Sequence, residues 1–152
     1  MQRPVVRQAG TADLDVLAAL RRRSQEERDG PIDDAAFESD WHEWYGREHT
    51  QRIFWLAELA SEPIGTTNLL VYDRMPTPGQ PSGQWGYLAN MYVVREHRDK
   101  GVGAVLLMAV IEHAEHLGLE RVVLKPSEQS IPFYGRAGFR PADELRVLWL
   151  RD

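Results

Sequence analysis

The chain contains no cysteine among its 152 residues. That excludes a disulfide framework, a thiolate zinc site and a cysteine nucleophile. No apolar run is long enough to span a membrane. Residues 1–10 are too short and too polar a stretch for a signal peptide, so the expectation is a cytoplasmic protein with no membrane partner. Cations are the scarcer charge: 18 Lys and Arg stand against 23 Asp and Glu, for a net charge of −5. Nucleic-acid binding draws on clustered cations that release counterions, so nucleic acid is not an expected partner either. Repeats and low-complexity tracts are absent. A chain of this length is expected to form one domain, 1–152, with a core that needs no covalent staple.

The charge is uneven. Residues 24–49 are rich in carboxylates, among them Glu26, Glu27, Asp29, Asp33, Asp34, Glu38, Asp40 and Glu43, whereas Arg95, His97, Arg98 and Lys100 form a small basic cluster. That asymmetry suits a protein holding a phosphorylated ligand at one place and a cationic molecule at another. A run of carboxylates is also what a solvated helix face looks like.

Pattern and punctuation predict the elements. Pro4 to Gln8 reads as a strand, and Leu14, Leu17 and Leu20 recur at helical spacing behind Thr11, up to the turn signal Asp29-Gly30-Pro31. A second helix is expected from Asp34 to Glu48. The period then changes: Arg52–Leu59 and Ile64–Asp73 read as a hairpin, and Trp85–Val94 as a further strand beyond a Pro- and Gly-rich loop. Gly101–Gly118 is the clearest helix, with Gly118 placed for a C-cap. Arg121–Leu124 is a short strand and Gln129–Ala137 a short helix. Phe139–Arg140 and Leu145–Leu150 are expected to close the chain as strands. The order is β-α-α-β-β-β-α-β-α-β-β, an α/β domain around a mixed central β-sheet flanked by helices.

The chemistry concentrates between Asn90 and Ala104. A strand ends there, a turn carrying Arg98, Asp99 and Lys100 follows, and a long helix begins through Gly101, Val102, Gly103 and Ala104. The first turn of a helix has unpaired N–H groups and the positive end of the dipole, and glycine lets an anion approach without meeting a Cβ. Such a turn can cradle a pyrophosphate. It is neither the G-x-G-x-x-G dinucleotide fingerprint nor a P-loop, and no acidic ribose ligand accompanies it.

The spacing Arg98-x-x-Gly101-x-Gly103 resembles the acyl-CoA-binding motif of the GNAT (Gcn5-related N-acetyltransferase) superfamily. A second stretch, Ser127 to Phe139 with Phe133-Tyr134-x-x-x-Gly138-Phe139, is similar to that family's C-terminal motif, and the element order matches throughout. The resemblance implies an acetyl-CoA-dependent N-acetyltransferase of GNAT topology that uses no metal. It passes an acetyl group directly to a primary amine of a small molecule or peptide, with homodimerisation as a family expectation. It places the pantetheine arm on the backbone of Met91 and Val93, and the pyrophosphate on the amides of Arg98, Asp99, Lys100, Gly101, Val102, Gly103 and Ala104. Tyr134 falls where the family has a tyrosine near the thioester sulfur. Ser127 falls where many members have an asparagine against the cofactor, and its hydroxyl is shorter than an amide.

A backbone N–H at Met91 or Val93 would stabilise the oxyanion. Tyr134, with an ordinary pKa of about 10, would donate to the departing sulfur. Many relatives carry a glutamate on the fourth strand where this chain has Tyr87. Glu58, His42 and Glu43 are alternative bases, and each also reads as an ordinary surface group. His97, His113 and His116 read as surface residues. Two readings of Asn90 stand, a substrate-orienting polar group or a bulge with an internal hydrogen bond. Trp41, Trp44, Trp55 and Trp85 line either an acceptor pocket or the core. A non-catalytic acyl-CoA sensor and a different phosphorylated-ligand binder are the alternatives from other classes.

Overall fold

The computed structural model describes residues 2–151. Five strands form one sheet in the order of the chain: β1 (Val5–Ala9), β2 (Arg52–Leu59), β3 (Glu62–Asp73), β4 (Gln84–Val93) and β5 (Arg121–Leu124). The first four pair antiparallel, and β4 and β5 run parallel, as the intervening helical crossover requires. Four α-helices surround it: α1 (Leu14–Asp29), α2 (Phe37–Glu48), α3 (Val102–Leu117) and α4 (Ile131–Arg136). The sheet is mixed and flanked by helices, as the sequence implies.

The pleat sorts side chains to two helical layers. Trp55 faces α3, its ring 5.7 Å from that of His113, while neighbouring Phe54 faces α2, 6.0 Å from Trp41. A Cβ on Gly65 would sit 3.1 Å from Leu106 of α3, whereas Thr66 and Asn68 open toward α1 and α2. Both faces of the sheet are therefore covered, and Phe54, Trp55, Leu56 and Ala57 are all buried in succession. Leu106 and Val110, fully buried, seat α3 on the sheet. Gly118 ends α3 in the left-handed conformation (φ 69°), and Leu119 N donates to Ala114 O at 3.0 Å.

Some boundaries differ from the sequence pattern. The second helix starts at Phe37 rather than Asp34, because the Asp34 carboxylate accepts from Ala36 N at 3.1 Å and holds a turn. The expected helix 129–137 is split into a 3-10 turn, Glu128–Ser130, and α4, with Pro132 setting the helical start. Phe139–Arg140 and Leu145–Leu150 pair with no strand. Pro141 has no N–H to give a ladder, and Leu145 N turns back on Ala142 O at 3.2 Å. The segment instead follows β5 through side chains: Arg121 bonds Glu144 at 3.0 Å, and Lys125 Nζ stands 4.5 Å from the Trp149 ring centre. Its apolar alternation signals β propensity without supplying a partner.

One clamp joins β1 to the start of α1. Arg7 donates to both Asp13 oxygens, at 2.8 and 3.0 Å, and to Glu58 at 2.6 Å, while Gly10 N donates to Asp13 at 2.9 Å. The Arg7 hydrogen bond, then that from Gly10, pulls the Asp13 pKa from 3.8 to about 2. A depressed carboxyl pKa stabilises the fold above the unfolded value, and that stability is lost as pH falls through the folded one. Between pH 3.8 and 2 the melting temperature should therefore fall more steeply for the wild type than for Asp13→Asn. Parallel slopes would remove the clamp from the acid response.

Candidate active site

A single residue, Asn90, opens the sheet. It has φ 58°, a left-handed conformation that asparagine tolerates better than most residues. Opposite it the register slips: Tyr92 faces Thr66 and Ala89 faces Asn68, so β4 carries one extra residue, a bulge. On the other edge, pairing with β5 stops at Leu88–Leu124, and Pro126 soon ends any possibility of extending β5. Beyond Leu88 the outer edge of β4 has no strand beside it. Val94 N bonds Ile64 O of β3 at 2.9 Å. By alternation the backbone groups of Tyr92 also face β3, and those of Met91 and Val93 face the opening. The Val93 carbonyl accepts from Arg98 Nε at 2.9 Å, leaving its N–H free of that contact.

The bulge is held from behind by a buried polar chain. Asn68, 4% exposed, donates from Nδ2 to Asn90 Oδ1 at 3.1 Å and accepts from Arg52 at 2.6 Å. Arg52 in turn bonds Glu48 at the end of α2 at 2.9 Å and lies 5.1 Å from the Trp44 ring centre. Both readings of Asn90 meet here, since it forms the bulge, makes the internal bond and still lines a cavity.

The turn after β4 leads into α3. A 3-10 turn, Arg95–His97, precedes Arg98, and both Asp99 (φ 60°) and Gly101 (φ 85°) are left-handed. The Gly101 position is open space, so its conformation rather than its surroundings calls for glycine. The first intrahelical bond of α3 is Val105 N to Gly101 O at 3.1 Å. The amides of Val102, Gly103 and Ala104 come before it and have no partner within the helix. A Cβ on Gly103 would meet Phe133 at 3.4 Å and Val93 at 3.9 Å, an ordinary contact.

The cations of the turn are engaged by the protein itself. Arg98 N donates to Arg95 O at 3.2 Å, and the Arg98 side chain bonds Glu27 at 2.6 Å as well as Val93 O. Lys100 Nζ bonds Glu96 O at 3.1 Å. Glu27 also accepts from the Tyr92 hydroxyl at 2.7 Å. Burial disfavours the charged form of Glu27, but the bonds from Tyr92 and Arg98 outweigh it and lower the pKa. Burial, with the bond to Glu27, pushes Tyr92 up to about 12.

On the α1–α2 side of the bulge lies a cavity of about 280 Å3. Leu17, Leu20, Trp41, Trp44 and Phe54 form its apolar walls, Thr66, Asn68, Asn90 and Tyr92 its floor, and Arg21 and Ser24 its remaining polar lining. The four tryptophans thus divide: Trp41 and Trp44 face the cavity, Trp55 is core, and Trp85 lies against Tyr72, Arg74 and Arg121. None of the candidate bases lines the cavity. Glu58 is bound to Arg7, His42 pairs with Asp15 at 2.9 Å, and Glu43 is exposed. His113 is not a plain surface residue but is half-buried against Trp55, and burial lowers its pKa.

Tyr134 sits in α4 with its ring against Phe133 and Phe139, at 4.9 and 5.7 Å, and burial raises its pKa. It is outside the cavity lining. Ser127 uses its hydroxyl proton within a turn, donating to Ser130 Oγ at 3.0 Å. Arg21 and Asn68 line the cavity without having been singled out in the sequence, and Glu27, marked there only as one of the carboxylates of residues 24–49, holds Arg98 and Tyr92. Asn68 carried the same signal as Asn90, a polar residue in an apolar strand, whereas nothing marked Arg21 among the charges of α1.

Residues 16–139 match the sequence model of the acetyltransferase (GNAT) family. A glucosamine 6-phosphate N-acetyltransferase of Trypanosoma brucei brucei is 30% identical over 77 residues, covering 51% of this chain and 50% of that protein. The uncharacterized N-acetyltransferase YjcF of Bacillus subtilis (strain 168) is 30% identical over 87 residues, covering 53% of this chain and 61% of its own. The match thus spans about half the length of these relatives. Among solved structures, a predicted acetyltransferase with acetyl-CoA from Clostridium acetobutylicum superposes with a TM-score of 0.79 at 23% identity, over 97% of each chain. A GCN5-related N-acetyltransferase from Ralstonia eutropha JMP134 gives 0.73 at 24%, over 97% of this chain and 99% of that one. At these identities the structural likeness is one of fold.

The polar chain behind the bulge gives a direct test. Asn68→Ala leaves the half-buried Arg52 and the Asn90 carbonyl each short of a partner. Denaturant unfolding should show a loss of about 2 kcal/mol, the range for hydrogen bonds to a charged group. A variant as stable as the wild type would mean that the bulge holds itself.

Proposed function

The chain belongs to the acetyltransferase (GNAT) family, and from that premise we propose that it transfers the acetyl group of acetyl-CoA directly to a primary amine of a small molecule or peptide. One observation carries the reading: residues 90–93 border both places that the reaction needs. The free edge of β4 at Met91 and Val93 leads toward the N-terminus of α3, and the side chains of Asn90 and Tyr92 face the cavity. A thioester lying along that edge meets an amine held in the cavity.

In this reading the pantetheine arm pairs with the backbone of Met91 and Val93. The pyrophosphate lies on the amides of Val102, Gly103 and Ala104, with Asp99, Lys100 and Gly101 shaping the turn. Arg98 contributes its charge from where Val93 O and Glu27 hold it, and Ser127 borders the cofactor as a turn residue. The neutral amine attacks the thioester carbonyl, a C–N bond forms and the C–S bond breaks. A backbone N–H at Met91 or Val93 stabilises the oxyanion. Tyr134, kept protonated by its raised pKa, donates to the leaving thiolate. No carboxylate or histidine lines the cavity, so in this reading the unprotonated fraction of the amine reacts, and water takes the surplus proton from its nitrogen and returns one to Tyr134. The whole sequence, 1–152, acts as one domain in the cytoplasm. Among the described residues no helix is long and apolar enough to cross a membrane, and no group of His, Cys, Asp or Glu forms a metal site.

A ligand that binds only the folded state raises its melting temperature. Acetyl-CoA should do so for the wild type and for Gly103→Ala, whose Cβ fits beside Phe133, but not for Gly103→Asp, which sets a carboxylate at the cradle. Tyr134→Phe should keep the shift and lose roughly 10- to 10³-fold in turnover, the scale of a lost general acid. An undiminished shift in Gly103→Asp would move the cofactor elsewhere. A normal rate in Tyr134→Phe would leave Tyr134 a packing residue. A shift with no transfer to any amine would make the protein an acyl-CoA sensor.

A further inference from the structure

The cavity bounded by α1, α2 and the bulge has one charged lining group, and its sign is positive. Most carboxylates of residues 24–49, expected to favour a cationic acceptor, are bound within the protein, and Asp33, Asp40 and Glu43 are exposed. Glu26 and Glu38 are bound by Arg22 at 3.3 and 2.9 Å, and Glu27 by Tyr92 and Arg98. Asp29 accepts from Gln25, Asp34 caps the turn before α2, and Glu48 holds Arg52. None of them lines the cavity. Of the three consecutive arginines on α1, Arg22 and Arg23 are bridged to carboxylates, whereas Arg21 has no ion pair or side-chain hydrogen bond among the described residues. An arginine at a pocket wall with no protein partner is a ready seat for an anion, because its planar fork matches a carboxylate.

The rest of the lining is apolar or already spent. Thr66 donates to Trp55 O, Asn68 is used on both sides by Arg52 and Asn90, and the Tyr92 hydroxyl is given to Glu27. What remains for a ligand is the Asn90 amide at the bulge, the Ser24 hydroxyl, Arg21 and the indole N–H groups of Trp41 and Trp44, set among Leu17, Leu20 and Phe54. A polyol would leave most of its hydroxyls facing aromatic walls without partners, and unpaired polar groups are costly to bury. A polyamine would bring charge beside Arg21 with no carboxylate to receive it. At about 280 Å3 the cavity is near the small end of ligand pockets, room for a ring and a short arm.

We infer that the acceptor is a primary amine carrying a single carboxylate on an apolar, aromatic body, an amino acid of the phenylalanine type, and that Arg21 sets this preference by pairing with the carboxylate. The inference rests on reading this cavity as the acceptor site. In this pose the aromatic body lies between the walls, and the α-carbon, which carries both the amine and the carboxylate, sits between Arg21 and Asn90, with the amine toward residues 90–93. A phosphate could also pair with Arg21. A lone arginine without a second cation suits a monoanion better, and the test separates the two.

The measurement is kcat/KM by thiol release for phenylalanine and phenylalaninamide, which share one skeleton and differ in charge, and for glucosamine 6-phosphate. The carboxamide is the weaker base and has more free amine at neutral pH, so a preference for the acid runs against intrinsic reactivity. Phenylalanine should exceed phenylalaninamide by about tenfold or more, the scale of a charge-assisted hydrogen bond. Arg21→Gln should abolish that ratio through KM for phenylalanine, and Arg21→Lys should restore part of it. Arg21 is exposed and unpaired, so these variants should fold, and the acetyl-CoA thermal shift on the same preparations checks that they do. Equal use of acid and amide, a ratio unchanged in Arg21→Gln, or better use of glucosamine 6-phosphate overturns the inference. If the thermal shift persists while the ratio fails, the acceptor assignment alone is wrong. If acetyl-CoA gives no shift, the acetyltransferase reading falls with it.

Discussion

A left-handed asparagine in the middle of a strand is the constraint on which the site depends. Without the extra residue at Asn90, β4 would continue straight against β3 and could keep β5 beside it. The inserted residue turns the outer edge of β4 away just where Pro126 prevents β5 from following. One irregularity therefore leaves backbone groups unpaired at the edge and a polar side chain over a cavity on the face. A regular ladder satisfies its own hydrogen bonds and has none to offer a ligand, so an opening of this kind has to be maintained by something else. Asn68, Arg52 and Glu48 supply that support, and through Arg52 the support also touches Trp44 in the cavity wall.

A second set of contacts fixes the turn below the opening. Glu27 of α1 receives both Tyr92 of β4 and Arg98 of the turn, and Arg23 reaches Glu96 at 2.7 Å. The helix that walls the cavity is thereby tied to the turn that starts α3. These ion pairs are partly exposed, so their net contribution to stability is modest. Their effect is geometric, since they determine where Arg98 stands relative to the free amides of α3. The arrangement also bears on the electrostatics: Glu26, Glu27, Glu38 and Glu48 are bound by arginines, the other carboxylates of residues 24–49 lie outside the cavity lining, and the charged group that lines the cavity is Arg21.

What was legible in the sequence was local. The strand, turn, paired glycines and helix start from Asn90 to Ala104 follow one another along the chain, and each carries its own conformational signature. Their order alone pointed to an anion cradle, and the structure has that order. The strand ends of β2 and β5 also fell where the change of period put them. What was not legible depends on pairs distant in sequence. Asn68 meets Asn90 across 22 positions and Glu27 meets Arg98 across 71, and neither partner advertises the other. The same limit explains Leu145–Leu150, where alternation predicted a strand but Pro141 and the turn at Ala142 leave it outside the ladder. It explains Arg21 too: three arginines in a row look alike until their partners are known.

In the proposed function the free edge of β4 receives the acyl donor. Amide hydrogen exchange, read residue by residue with and without saturating acetyl-CoA, addresses it most directly. The amides of Met91 and Val93 should exchange more slowly when the donor is present, together with those of Val102, Gly103 and Ala104. Unchanged exchange at Met91 and Val93 in a protein that binds acetyl-CoA would place the donor on another surface and rule out the edge of β4 as its seat.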